Sequence, residues 1–379
     1  RISKLEIDEV SKKIPFSLTN DQKNCLDDIV KDMVSEKKMM RVLQGDVGSG
    51  KTIVALMASY LNYKSDYQTA IMVPTEILAT QHFKNFKNIL DKTDINIELL
   101  TGKTKQKNQK IIREKLTNNE IDILIGTHSL FQDKIEFSKL GLIVIDEQHK
   151  FGVKQRINLS LKGTNNTDVV LMTATPIPRT LVLTNYGDMN ISTIKKKPFS
   201  NNNLKTLIKP IQKLNEVIAF VNQRMDNDDQ IYWVCPLIDE SEKLKLMAAI
   251  KRFESLKKKI NHNIGLIHGS TKKEEKERVM QDFIDGKIRG IISTTVIEVG
   301  IDNPNANTII IENAERFGLA QLHQLRGRVG RSGNEANCIL LYSSAISETG
   351  KKRLKIMKDS NDGFYISEED LKLRGYGDI

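Results

Sequence analysis

Cysteine, aromatic residues and long apolar runs are scarce in this chain of 379 residues. Its three cysteines, Cys25, Cys235 and Cys338, are odd in number and far apart, which excludes a disulfide framework or a zinc cluster as the basis of the fold. The six histidines are equally scattered, with no paired metal-ligand spacing. No apolar run approaches the roughly 20 residues of a membrane span, and no charged start followed by an apolar stretch indicates a signal peptide. We therefore expect a cytoplasmic protein.

Acidic residues are fewer than basic ones, 48 against 58, which gives a net charge of +10 and a pI of about 9.2. This balance favours a polyanionic partner, although a merely lysine-rich surface is the alternative on charge alone. The length exceeds what one hydrophobic core supports and predicts two or three domains. Because the chain begins at Arg1 without a methionine and stops at Ile379 in mid-pattern, we expect a piece of a longer protein.

One glycine-rich stretch, residues 45–52, fits the pattern GxxxxGK[ST]. Its glycines let the backbone curl around an anion, and the apolar stretch Ile53 to Leu61 predicts a buried helix whose positive end faces the same point. Lys51 supplies a charge for the β and γ phosphates, and Thr52 supplies a hydroxyl ligand for Mg²⁺. The residues that we expect to cradle a nucleotide are Gly45, Gly48, Gly50, Lys51 and Thr52.

Two carboxylates follow the buried run Leu142 to Ile145. Asp146 can hold Mg²⁺ at the end of a strand, and Glu147 can orient or deprotonate the attacking water. An isolated Asp-Glu pair would be a solvated turn, but this pair lies downstream of a phosphate loop. We therefore predict a catalytic pair.

Three further polar residues have plausible roles near such a site. Thr173 and Thr175 follow the apolar run at residues 169–172 and could relay between the nucleotide and a second lobe, the alternative being an ordinary turn. Gln22 lies in the first turn of a predicted helix, where its amide could meet the edge of adenine. Taken alone, Gln22 is predicted to be a surface residue.

Short β-branched apolar runs alternate with helical stretches along the whole chain. Because they are apolar at every position, they predict parallel strands covered by helices on both faces, and hence two α/β lobes. A polar break between Lys195 and Asn203 predicts the linker. The predicted strands after the phosphate loop are residues 70–73, 95–100, 121–125, 140–145 and 169–172 in the first lobe, and 206–208, 231–235, 264–268, 290–293, 308–311 and 338–342 in the second.

The second lobe carries no phosphate loop but contains a cationic segment, residues 321–331. Three arginines within six residues, Arg326, Arg328 and Arg331, are interrupted by glycines. They would make a rigid cationic comb that reaches triphosphate oxygens from the far side of a cleft. Such an arginine finger contributes roughly 10³ to 10⁵ to the rate of phosphoryl transfer. The alternative is a plain patch for the phosphate backbone of a nucleic acid.

Together these motifs resemble, in their order from Gln22 to Arg331, those of the superfamily-two helicases. Among these, the chain is most similar to the RecG family of DNA translocases, which act on forks and branched junctions. Transcription-repair coupling translocases share much of the pattern, but residues 235–241 and 186–188 favour the RecG family. The phrases that carry the resemblance, which covers nearly the whole chain, are residues 16–19, 44–52, 74–79, 146–153, 174–180 and 314–331.

The resemblance implies two tandem RecA-like lobes with the nucleotide cleft between them, at residues 1–197 and 198–350, followed by the start of a translocation motif at 351–379. It implies that Gln22 reads adenine. Residues implied to approach the γ-phosphate are Gln324, Arg328 and Arg331, with Gly300 and Asp302 beside them. Residues implied to grip one DNA strand through its phosphates are Thr75, Gly102, Thr127 and Thr294, with the lysines at 103, 105, 107 and 110 beside Gly102. Coupling roles are implied for Thr173, Thr175 and Arg374.

We therefore expect a monomeric, ATP- and Mg²⁺-dependent DNA helicase or translocase that acts on duplex or branched DNA. An RNA helicase and a nucleotide-gated clamp without turnover are the alternatives, while a P-loop kinase or GTPase does not account for the second lobe. Tyr376 stands where the translocation motif has proline, and the motif is incomplete at residue 379. The family's N-terminal wedge domain is also missing from these residues. We expect this piece to retain hydrolysis more readily than coupled fork regression.

Overall fold

The chain forms two compact units, Arg1–Pro198 and Phe199–Ile379, and each is an α/β lobe around a parallel sheet. This confirms the predicted fold class of two tandem parallel-sheet lobes. No helix in the described part of the chain is both long and apolar enough to cross a bilayer. The computed structural model describes residues 17–46, 48–127, 135–147, 167–174, 189–195, 203–235, 242–294, 303–330, 333–343 and 345–374.

In the first lobe, the described residues form one parallel sheet of seven strands. The strands are β1 (Met40–Gly45), β2 (Gln68–Met72), β3 (Ile97–Leu100), β4 (Ile123–Gly126), β5 (Leu140–Glu147), β6 (Asp168–Thr173) and β7 (Asn190–Ile194). The described helices are α1 (Asn20–Val34), α2 (Lys51–Lys64), α3 (Glu76–Ile89) and α4 (Gln106–Thr117). Across the sheet the order is β3-β4-β2-β5-β6-β1-β7, so strands that follow one another in sequence are mostly not neighbours.

The helix after the phosphate loop, α2, is buried on every side. All residues from Ile53 to Asn62 are buried, and α2 packs against both α1 and the sheet. This confirms the buried helix predicted at Ile53 to Leu61. A helix without a polar face is stable only inside a core, so the phosphate loop at its start is anchored on a helix enclosed by the core of the lobe.

Helix α1 is fixed to the sheet by a buried cation. The guanidinium of Arg41, on β1, lies 2.7 Å from Asp32 Oδ2 and 3.7 Å from Asp28 Oδ2, both on α1. Its Nη1 also donates to Ser192 Oγ of β7 at 2.8 Å. Burying a guanidinium is costly unless it is paired, so these contacts hold α1 in one position beside β1 and β7.

In the described part of the second lobe, six strands form a parallel sheet, and the last two elements along the chain are helices. Its strands are β8 (Leu204–Pro210), β9 (Gln230–Val234), β10 (Ile264–Ile267), β11 (Gly290–Ser293), β12 (Ala306–Ile311) and β13 (Ala336–Tyr342). The described α-helices are α5 (Leu214–Asp226), α6 (Glu242–Lys257), α7 (Lys273–Ile284), α8 (Leu319–Arg326), α9 (Glu348–Asp359) and α10 (Gly363–Arg374). The strand order is β10-β11-β9-β12-β13-β8.

The two lobes repeat one structural device at the start of a central strand. Gln68 opens β2, and its Nε2 donates to the carbonyl oxygens of Leu116 at 3.0 Å and Ile121 at 2.8 Å. In the second lobe Gln230 opens β9, and its Nε2 donates to the carbonyl oxygens of Phe283 at 2.6 Å and Ile288 at 3.0 Å. Each buried glutamine therefore joins the end of a helix to the segment that follows it, through carbonyls of both.

Candidate functional site

Three neighbouring strands of the first lobe bring the predicted nucleotide residues to one edge of the sheet. Thr173, the last residue of β6, pairs in register with Gln44 of β1 on one side and with Glu147 of β5 on the other. The phosphate loop begins directly after Gln44, and Asp146 directly precedes Glu147. This edge is therefore the carboxyl end of β1, β6 and β5, where parallel α/β sheets bind ligands. The side chain of Glu147 and the whole of Thr175 lie outside the described residues.

The phosphate loop has the backbone that its glycines allow. Gly48 and Gly50 adopt φ values of +78° and +85°, a region that L side chains rarely occupy. At Gly45 a Cβ would lie 2.5 Å from Ser49 Oγ and 3.2 Å from the Ile194 carbonyl oxygen, so a side chain there would force Ser49 or the loop to shift. Lys51 Nζ donates to the carbonyl oxygens of Gly45 at 2.6 Å and Asp46 at 3.0 Å, which holds the ammonium within the loop.

The donor set at this edge fits a nucleotide phosphate with Mg²⁺. Helix α2 begins at Lys51, so the first amide groups of the helix point toward the loop and favour an anion there. The fully buried hydroxyl of Ser49 has no hydrogen-bond partner among the described residues. Thr52 in the first turn and the Asp146 carboxylate offer the hard oxygen ligands that Mg²⁺ prefers.

Gln22 supports the phosphate loop. It is only 2 % exposed, and its Nε2 donates to the carbonyl oxygen of Ser49 at 2.9 Å. Its Oε1 accepts from the main-chain N–H of Thr19 at 2.9 Å, while the N–H of Gln22 donates to Thr19 Oγ1, which forms a capping box. The prediction that Gln22 is a surface residue when taken alone is wrong, and its contact with adenine stays a prediction.

Asp146 has a partner that the sequence motifs do not reveal. His82, on α3, places its Nε2 3.2 Å from Asp146 Oδ2, and both residues are 7 % exposed. The two residues are 64 positions apart in sequence. In the sequence, His82 only follows the phrase at residues 74–79, which gives no indication of what it contacts.

The predicted DNA-binding residues of the first lobe occupy the other half of the same sheet edge. Thr75 follows β2, Gly102 follows β3 and Thr127 follows β4, and these strands are neighbours in the order β3-β4-β2. A Cβ on Gly102 would lie 3.0 Å from Glu76 Oε1, so the loop after β3 closely approaches the start of α3. The structure therefore places these three residues beside one another and next to the β5-β6-β1 half.

Thr75 also begins α3. It is the N-cap residue, and its Oγ1 accepts from the main-chain N–H of Leu78 at 3.2 Å. Nearby, Lys103, Lys105, Lys107 and Lys110 are all exposed. Lys103 Nζ lies 4.0 Å from Glu76 Oε2. These lysines add positive charge beside Gly102, while their contact with DNA stays a prediction.

In the second lobe, the described candidate residues separate to opposite ends of the sheet. Thr294 directly follows β11 at its carboxyl end and is buried. Gln324 lies on α8 and Arg328 follows that helix, and the N–H of Gly330 donates to the carbonyl oxygen of Ala306, the first residue of β12, at 3.3 Å. The segment after α8 therefore lies at the amino end of the sheet. Gly300, Asp302 and Arg331 lie outside the described residues.

Arg326 is a structural residue, which corrects the prediction of a three-arginine comb. It is 1 % exposed and donates to Thr206 Oγ1 at 3.2 Å and to the carbonyl oxygen of Met357. Its Nη2 lies 3.1 Å from His323 Nδ1. These contacts join α8 to β8 and α9, so the guanidinium stays inside the lobe. Arg328 is also largely buried, and its role stays a prediction.

The last described helices pack onto this part of the second lobe. Helix α10 contacts both α8 and α9. Arg374, which is predicted to couple closure to movement, is the last residue of α10, and its side chain lies outside the described part of the chain. Its coupling role stays a prediction.

Comparison with known proteins agrees with the geometry of both lobes. Residues 19–183 match the family model described as DEAD/DEAH box helicase, and residues 210–333 match the model described as Helicase conserved C-terminal domain. Over 374 residues, 98 % of this chain, it is 48 % identical to the ATP-dependent DNA helicase RecG of Thermotoga maritima. The chain belongs to the RecG family. It is also 47 % identical over its full length to the RecG protein of Bacillus subtilis.

The chain spans about half the length of the RecG relatives that it matches, 48 % of the Thermotoga maritima protein and 56 % of the Bacillus subtilis protein. A solved structure of RecG bound to a three-way DNA junction superposes with a TM-score of 0.87 and 44 % identity, covering 100 % of this chain and 50 % of that one. Saccharomyces cerevisiae Dbp5 bound to RNA and ADP BeF3 superposes with a TM-score of 0.66 at 19 % identity, covering 99 % of this chain and 92 % of that one, which shows a shared fold alone.

Proposed function

We propose that this chain is the motor portion of an ATP-dependent DNA helicase or translocase of the RecG type. It couples ATP hydrolysis to movement along duplex or branched DNA, in the remodelling of forks and junctions for repair and recombination. The observation that carries this proposal is the arrangement of the first sheet's edge. In one half, the phosphate loop begins at the end of β1, Thr173 ends β6 and Asp146 is the last residue but one of β5. In the other half, Thr75 follows β2, Gly102 follows β3 and Thr127 follows β4.

The first lobe binds the nucleotide. Lys51 contacts the β and γ phosphates of ATP, Thr52 and Asp146 provide the oxygen ligands for Mg²⁺, and Glu147 orients the attacking water. Bound Mg²⁺ neutralises charge on the phosphate oxygens. Buried Asp146 and the backbone of the phosphate loop support this assignment.

The second lobe completes hydrolysis. Gln324, Arg328 and Arg331 approach the γ-phosphate, and the position of the segment after α8 at the amino end of its sheet supports a role distinct from that of Thr294. Because the arginines and the phosphate loop belong to different lobes, hydrolysis depends on lobe closure. Arg326 takes no part because its guanidinium is bound within its own lobe.

The DNA strand is held through its phosphates. Thr75, Gly102 and Thr127 of the first lobe and Thr294 of the second contact the backbone, which carries no sequence information and can be released and rebound at each step. The net charge of +10 and the exposed lysines near Gly102 support a polyanionic partner. We further propose that the chain acts as a monomer, which light scattering of its DNA complex tests.

Competition binding tests the choice of nucleic acid. The chain, with Mg²⁺ and a non-hydrolysable ATP analogue, is bound to a fluorescent forked DNA and challenged with unlabelled fork, duplex, single-stranded DNA or RNA of equal length at two salt concentrations. We expect forked and duplex DNA to compete best and affinity to fall as salt rises, since phosphate contacts release counterions. Preferential competition by RNA would contradict the proposal and favour an RNA helicase, whose specific contacts include 2′-hydroxyls.

A further inference from the structure

The carboxylate of Asp146 is held by one side chain of α3. Asp146 lies near the carboxyl end of β5 and is 7 % exposed, and its Oδ2 lies 3.2 Å from His82 Nε2. His82 contacts Asp146 through Oδ2, and Oδ1 takes no part in that contact. This geometry fixes the rotation of the carboxylate group while one of its oxygens can face a ligand at the sheet edge.

The imidazole of His82 is itself held in place. It is 7 % exposed, and its ring lies 6.0 Å from the ring of Phe86, one turn further along α3, which is buried in the core of the first lobe. Thr75 caps the amino end of α3. Because both the helix and the ring are fixed by packing, His82 can determine where the carboxylate points.

The chemistry of the contact is directional. A carboxylate that binds a metal ion is ionised and only accepts hydrogen bonds, so the Nε2–H of His82 donates to it. Groups that hydrogen-bond to a ligating side chain orient it and tune metal affinity, and their removal typically lowers metal affinity or activity about 10- to 100-fold. A buried carboxylate without this donor would rotate or draw in water.

We propose that His82 is a positioning residue that orients the metal-binding carboxylate of Asp146. This inference rests on the proposed function, since it assumes that Asp146 binds the Mg²⁺ that accompanies the nucleotide. It assigns to α3 a role in the nucleotide site that is separate from the nucleic-acid role of Thr75 at its start. Removing the Nε2–H donor of His82 lowers the affinity that Mg²⁺ adds to nucleotide binding. The affinity that the phosphate loop provides without Mg²⁺ is unchanged.

The test measures binding without turnover. Affinity for a fluorescent ADP is determined in EDTA and in a series of Mg²⁺ concentrations for wild type, His82→Leu and His82→Gln. Leucine fills apolar space beside Phe86 without a donor, whereas the glutamine amide reaches near the position of Nε2. We expect His82→Leu to lose about 10-fold or more of the affinity gained from Mg²⁺ while keeping wild-type affinity in EDTA, and His82→Gln to retain most of the gain.

The chain offers a matched control in the second lobe, where His262 Nε2 lies 2.7 Å from Asp226 Oδ1 at the surface. We expect His262→Leu to behave as wild type. An unchanged Mg²⁺ gain in His82→Leu, or an equal loss in EDTA and in Mg²⁺, would overturn the inference. If His82→Leu fails to fold by circular dichroism, His82→Asn, too short to place its amide at the Nε2 position, replaces it with the same expectation. Failure of the wild type to bind ADP at all would instead contradict the proposed function.

Discussion

The side chain of Gln22 donates from Nε2 to the carbonyl oxygen of Ser49 at 2.9 Å and so joins the first turn of α1 to the phosphate loop. The same side chain closes the capping box with Thr19. Its position is reinforced by Arg41, which holds α1 against the sheet through Asp28 and Asp32. Gln22 therefore stabilises the phosphate loop through this hydrogen bond, independently of any contact with a nucleotide base.

This support predicts the phenotype of Gln22→Glu. The glutamate keeps an acceptor for the N–H of Thr19 but loses the donor to Ser49. Because a net hydrogen bond contributes about 1 kcal/mol, we expect KM to rise roughly 5-fold or more for ATP and GTP alike. Steady-state hydrolysis with each nucleotide measures this. A loss confined to ATP would show that Gln22 acts through the base and not through the loop.

The proposed DNA contact at Thr75 can be tested without removing the helix cap. Aspartate and asparagine both cap helices well, so Thr75→Asp and Thr75→Asn should both preserve the start of α3. We expect Thr75→Asp to raise the DNA concentration for half-maximal ATPase stimulation about 5-fold, because its charge repels phosphate, at a cost on the order of 1 kcal/mol. Thr75→Asn should change it much less. Equal values for both variants and wild type would place the strand elsewhere.

Neighbouring arginines of the cationic segment should differ in phenotype. Arg326 is buried among Thr206, His323 and the carbonyl of Met357, and hydrogen bonds of a buried charged group contribute about 1.5–3 kcal/mol each. We therefore expect Arg326→Lys to lower the free energy of unfolding by roughly 2 kcal/mol or more. Arg328→Lys should instead lower kcat by about 10³-fold, as expected for an arginine finger. Urea unfolding and hydrolysis rates measure these effects, and an Arg326→Lys variant of wild-type stability would refute the structural assignment.

The three cysteines should be inert in the folded chain. Burial is the main cause that raises the pKa of the Cys25 and Cys338 thiols to about 12, and that of Cys235 is also raised. At pH 8 the thiolate fraction of Cys25 or Cys338 is then on the order of 1 in 10,000, and the thiolate is the reactive form. We expect a colorimetric thiol reagent to react slowly at pH 8 and to modify all three thiols once urea unfolds the chain. Rapid reaction before unfolding would contradict their burial.

The apolar runs predicted the central strands because these strands are buried along most of their length and contain continuous apolar stretches, several of them rich in β-branched residues. β7 was not predicted by such a run. It is an edge strand whose burial is interrupted along Asn190–Ile194: Asn190 is exposed, Ile191 and Thr193 are partly exposed, and only Ser192 and Ile194 are buried. Its register with β1 is set by tertiary pairing and not by a local pattern.

Several features of the site depend on topology that a one-dimensional pattern does not contain. The motifs give residue types at strand ends, but only the order β3-β4-β2-β5-β6-β1-β7 shows that the residues predicted to bind nucleic acid and those predicted to bind nucleotide lie along separate halves of one edge. Likewise, Arg326 and Arg328 belong to one cationic segment, and it is the hydrogen bonds of Arg326 to Thr206 and the carbonyl of Met357 that identify it as a structural residue. His82 could not be assigned a role because Asp146, its partner, lies on another element.

The measurement that tests the central claim most directly is steady-state ATP hydrolysis by the chain. Rates are compared without nucleic acid and with forked DNA, duplex, single-stranded DNA and RNA, at two salt concentrations, with Lys51→Ala as the blank. We predict strong stimulation by forked or duplex DNA that weakens with salt and disappears in Lys51→Ala. Stimulation by RNA alone, or tight DNA binding with no hydrolysis above the blank, would contradict an ATP-driven DNA motor.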